Sequence, residues 1–103
     1  MMKKIEKLEK QIHEEWSDAE KYITCALLNK DEDRNLADLY YDLAVEETKH
    51  ADRLHSMVVK IIDEYKREHG APPEAMMTVY NILHERDIEF ATKVKMMIQQ
   101  YKG

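Results

Sequence analysis

No glycine or proline occurs in the first 69 residues of the chain. These two residues are the ones that most reliably end a helix, so the stretch has only polar composition with which to stop one. The segment Asn29-Lys30-Asp31-Glu32-Asp33-Arg34 does this: it breaks the apolar spacing and offers Asp31 or Asp33 as the N-cap of a second helix. The spacing predicts a helix from about Lys3 to Leu28 and another that runs from this turn to about Arg67. His69-Gly70 then supplies a C-terminal cap, and Pro72-Pro73 both prevents continuation and opens a third helix over about Pro73 to Tyr101. The expected fold is all-α: three long antiparallel helices in a single domain, residues 1–103, the first two forming a hairpin.

Each expected helix carries an apolar seam that is interrupted once by an acid. In the second, Leu36, Tyr40, Leu43, Leu54, Val58, Ile61 and Tyr65 all fall within roughly 40° of Glu47 on the helical wheel. His50 lies about 60° to one side. In the first, Ile5, Leu8, Ile12, Ala19, Tyr22 and Ala26 skip the position of Glu15. Of the neighbouring acids Glu14, Glu15, Asp18 and Glu20, only Glu15 faces inward. In the third, Met76, Tyr80, Leu83, Phe90, Val94, Met97 and Tyr101 skip Asp87, and His84 flanks it three residues earlier.

The hairpin brings Glu15 and Glu47 to one height, since they lie about 15 and 14 residues from the turn at roughly 1.5 Å per residue. From the second turn Asp87 lies at roughly 22 Å and His50 at roughly 28 Å, a difference the loop can absorb. Taken singly, each pair has a metal-free explanation: a hydrogen bond from Tyr22 to Glu47, one between His84 and Asp87, or Glu15 reaching water. Taken together, three seam acids repel one another unless a cation lies between them. Glu15, Glu47, His50, His84 and Asp87 are oxygen and nitrogen donors without a thiolate, a set suited to iron, manganese or zinc. His84 and Asp87 enter either as direct ligands within one chain or as groups orienting the others.

Other classes of function find little support. The net charge of −5 is spread over interspersed acids and bases, without the basic block that nucleic acid requires, and no nucleic-acid partner is expected. MMKKIEKLEK has no apolar run behind its lysines, so neither a signal peptide nor a membrane span is expected. Cys25 is the one cysteine. It excludes a disulfide within the chain, and a reducing cytoplasmic location is the expectation. There is no Gly-rich loop or nucleophile elbow. His55 and His69 have no evident inward partner, and the methionines read as core filler or interface.

Glu15 followed by Tyr22, then LADLYYDLAVEETKHADRLH with Glu47-x-x-His50, resembles the first helix pair of the ferritin-like superfamily, rubrerythrin in particular. Di-iron proteins of that superfamily use a Glu from each of two helices and Glu-x-x-His from each of the other two. The resemblance spans roughly Glu15 to Met57. It implies that Glu15 is a terminal carboxylate, Glu47 a bridging one and His50 a nitrogen ligand to iron, with ferrous oxidation by oxygen or peroxide as the chemistry. There is no fourth helix, no second Glu-x-x-His and no cysteine set for a rubredoxin-like centre. In size the chain is similar to the encapsulated ferritins, half-ferritins that complete the iron site across a dimer, although MMIQQYKG does not resemble their targeting peptide. The resemblance therefore implies a ferritin-like bundle completed by a homo-oligomer. The rival reading is a metal-free helical interaction protein whose polar seam residues fix register and partner.

Overall fold

Three helices, α1 (Met2–Asn29), α2 (Arg34–His69) and α3 (Glu74–Lys102), make up nearly all of the computed structural model, which describes residues 1–103. Each helix begins and ends within a residue or two of where the sequence places it. At the first turn Asp33, not Asp31, is the cap: its carboxylate accepts the Leu36 N–H at 3.1 Å. At the second, Gly70 takes φ 79° and donates its N–H to the Lys66 carbonyl at 3.0 Å. That positive φ is a conformation glycine adopts at little cost.

The α1–α2 hairpin forms the long body of the molecule. α2, with 36 residues, is about 54 Å long and accounts for the 56 Å major dimension. The most deeply buried line on α2 is Ala37, Ala44, Ala51 and Val58, seven residues apart. It faces Ala19 and Ala26 of α1. Small side chains let the two backbones come close, and Ile5, Ile12, Trp16 and Ile23 fill the space around them.

This changes the expected seams. Of the large residues expected in the α2 seam, Leu36 is exposed, and Tyr40, Leu43, Leu54, Ile61 and Tyr65 are only half-buried. In α1, Leu8 and Tyr22 are half-buried while Glu9, Trp16 and Ile23 are buried. Both contact faces are rotated by roughly 40 to 50° from the apolar stripes, because the alanines permit the tightest packing and the bulky residues are displaced to the flanks.

α3 runs parallel to α1 and packs mainly on it, barely touching α2. Lys93 Nζ lies 2.9 Å from Glu20 Oε2, and Lys30 Nζ donates to the Tyr101 carbonyl at 2.6 Å. The Tyr101 hydroxyl bonds Asp38, which ties the end of α3 to the start of α2. A cleft is left between α2 and α3, floored by α1. No helix is long and apolar enough to cross a membrane.

Candidate metal centre

Glu15 comes from α1, and Glu47 and His50 come from successive turns of α2. His50 Nδ1 lies 3.4 Å from Glu15 Oε2 and 3.8 Å from Glu47 Oε2. One donor atom from each of the three residues lies within 4.8 Å of the others. The antiparallel register that equalises their heights thus brings them together. Glu15 Oε2 is buried without a hydrogen-bond partner. The neighbouring Glu15 carboxyl, reinforced by burial and opposed by His50, pushes the Glu47 pKa up from 4.5 to about 7. Two oxygens and one nitrogen converge with no cation of the chain seated between them.

The trio stands on the flank of α1–α2 that α3 does not cover. On the α1 wheel Glu15 is about 160° from His13, a residue that faces α3 through Asp87. The Glu47 side chain is 18% exposed, whereas that of His50 is 52% exposed. The burial expected for His50 is therefore absent within a single chain. Leu8, Arg53, Leu54 and Met57 border the shallow depression in front of Glu15 and His50.

The five sequence candidates do not form one cluster. Asp87 is buried but pairs with His13, Nδ1 to Oδ1 at 3.3 Å. His84 is stacked between Tyr80 and His55, with ring centroids 5.4 and 4.9 Å away. Neither reaches Glu15, Glu47 or His50, so neither ligates or orients that group. Height is not the reason, since Asp87 lies level with His13, two residues from Glu15. Azimuth decides: α3 docks on the opposite flank of α1. The hydrogen bonds weighed as metal-free explanations, Tyr22 to Glu47 and His84 to Asp87, do not form. Tyr22 stacks on Tyr40 at 6.3 Å instead.

Two residues gain a role from the structure. Glu9 is almost fully buried, and His55, expected to lack an inward partner, stacks on His84. The burial of Glu9 has a signal in the sequence: Glu9, Trp16 and Ile23 are seven apart and share one line of α1. No family model, no curated protein and no solved structure matches the chain.

Proposed function

We propose that the chain is a ferritin-like non-haem iron protein whose di-iron carboxylate centre is completed by a second copy of itself. The observation that carries this reading is the convergence of Glu15, Glu47 and His50 on an uncovered face. Iron bound there supplies one-electron redox chemistry toward dioxygen or peroxide, a ferroxidase-type activity. Glu15 and Glu47 provide the negative charge that the ions neutralise, and His50 provides a nitrogen donor. Because Glu47 holds its proton up to about pH 7, binding must displace it. Uptake weakens below neutrality. Manganese and zinc fit the same donors, and a reducing cytoplasm would keep iron ferrous.

The di-iron pattern takes four Glu and two His, and this face offers two Glu and one His. A twofold axis through it doubles the set. The surroundings suit a second copy: Leu39 and Met57, 53% and 46% exposed, project from the same side of α2 as His50. With Leu36, Leu43 and Leu54 they extend an apolar strip above and below the polar group at alternating three- and four-residue spacing.

Ferrous titration of the chelator-treated full chain, followed by sedimentation and elemental analysis, tests the reading. The expected result is about one iron per chain bound at Glu15, Glu47 and His50, with dimers forming as iron binds. Dimers that form equally well without metal, in a chain that retains none, would favour the helical interaction protein.

A further inference from the structure

The apolar stripe of α2 has the same order of apolar and polar positions read from either end. Glu47 and His50 stand at its centre, flanked by Leu43 and Leu54, then by Tyr40 and Met57, then by Leu36 and Ile61. Steps of four and three residues alternate through the whole series, the heptad spacing of a helix that pairs with another helix. Within the chain that partner is missing. α1 packs on the line of Ala37, Ala44, Ala51 and Val58, and α3 barely touches α2. The stripe is left half-buried to exposed along its length, with Leu36 36% and Met57 46% exposed near its two ends.

One mode of self-pairing satisfies this order. Two copies of α2 can lie antiparallel about a twofold axis that passes between Thr48 and Lys49. Leu36 then meets the partner's Ile61, Tyr40 the partner's Met57 and Leu43 the partner's Leu54, each twice by symmetry. Glu47 meets the partner's His50, so the polar layer falls on itself and every apolar layer on an apolar one. A slip of one heptad sets Glu47 against the partner's Met57 or Leu43, a carboxylate facing hydrocarbon. Parallel pairing sets Glu47 against the partner's Glu47, two like charges. The rim agrees with the antiparallel register. Glu46 and Arg53, both exposed, each precede a stripe residue by one position, and the register lays Glu46 beside the partner's Arg53 on both sides of the axis.

We propose that α2 carries a self-recognition code: the chain pairs with a second copy through an antiparallel α2–α2 contact in this one register, which sets Glu47 of each chain beside the partner's His50. The inference rests on the second copy invoked for the shared centre, and it adds the face, orientation and register of that copy. Glu47 and His50 thereby gain a second task, since a polar layer in an apolar seam fixes register at a cost in stability. The same layer rejects helices that lack the mirrored order.

Disulfide trapping reads the register. Full chains carrying Cys25→Ser with either Leu36→Cys or Ile61→Cys are mixed in manganous ion and oxidised with glutathione disulfide. The mixture is expected to give a cross-linked dimer. Neither variant alone should link to itself, because like positions lie roughly 37 Å apart in this register. Charge reversal supplies a second measurement that leaves the apolar contacts untouched. Exposed pairs attract weakly, so reversal is more informative than truncation: Arg53→Glu should weaken dimerisation about 10-fold by sedimentation, and adding Glu46→Arg to the same chain should restore it. Self-linking of either cysteine variant, or a double charge variant no better at dimerising than Arg53→Glu, would overturn the proposal. Dimers that sediment but do not link in the mixture refute the register and leave the shared centre standing. Linked dimers that retain no metal uphold the register and sink the shared centre, and a chain monomeric under every condition sinks both.

Discussion

Replacing Glu9 by Gln should stabilise the metal-free protein at pH 8 and leave it nearly unchanged at pH 5. Burial, then the nearby Asp87, raise the folded-state pKa of Glu9 from 4.5 to about 7, against a smaller opposing effect of Arg86. The folded state thus holds this proton more tightly than the unfolded chain. Above about pH 4.5 the unfolded chain releases its proton while the folded protein keeps it, so stability falls as pH rises toward 7 and levels off beyond. The gap between 4.5 and about 7 corresponds to about 3 kcal/mol at 1.36 kcal/mol per tenfold change in proton affinity. Gln keeps the shape of the side chain without the charge, although its amide also lacks hydrogen-bond partners. That offsets part of the gain and leaves about 1–3 kcal/mol. For a chain of this size the melting temperature should rise by roughly 5–15 °C at pH 8. Thermal unfolding in chelator at the two pH values measures it. Equal destabilisation at both would refute the reasoning, because it would mean that the Glu9 anion is held by a favourable contact.

On the open face, Glu47→Ala should abolish metal uptake there while Glu46→Ala, whose side chain points about 100° away, leaves it intact. Isothermal titration of each variant checks the register, and the reverse outcome would show it to be wrong. Ferrous or manganous ion at 100 times its dissociation constant should stabilise the native chain by about 2.7 kcal/mol. A melting temperature unmoved by saturating metal would remove the cation from the account. Leu39→Lys, placed in the exposed strip beside His50, should prevent dimer formation without loss of helix; sedimentation and circular dichroism together report both.

What the sequence discloses depends on which degree of freedom is asked about. Helix ends are legible because each rests on a local signal: Asp33 on the Leu36 N–H, Gly70 on its left-handed φ, Pro73 at the start of α3. The shared height of Glu15 and Glu47 is legible too, since a tight turn leaves an antiparallel hairpin little freedom of register. Azimuth is harder to read. Hydropathy weights Leu36 and Tyr22 above Ala37 and Ala19, yet the smaller residues are the ones fully buried. The placement of α3 is the least accessible, because the link from Gly70 to Pro73 lets a third helix settle on either flank of the hairpin. That single choice separates His84 and Asp87 from His50 and gathers them with Glu9 and His55.

The same choice makes protein concentration a discriminating variable. Glu9 and Glu15 lie on one helix, six residues and about 120° apart around its axis, so α1 faces a different solvent regime on each flank. On the side covered by α3, Glu9 and Asp87 are buried within one chain, and dilution has no bearing on their surroundings. On the open side, the proposed centre takes half its donors from a partner, so its occupancy should fall as dimers dissociate. At fixed free metal, dilution of the full chain across the dimer dissociation constant should therefore release the ion held by Glu15, Glu47 and His50. Equilibrium dialysis at two protein concentrations reads the occupancy. Metal retained in full on dilution to monomer would show that the open-face centre is complete within one chain, and the shared-site proposal would then fail.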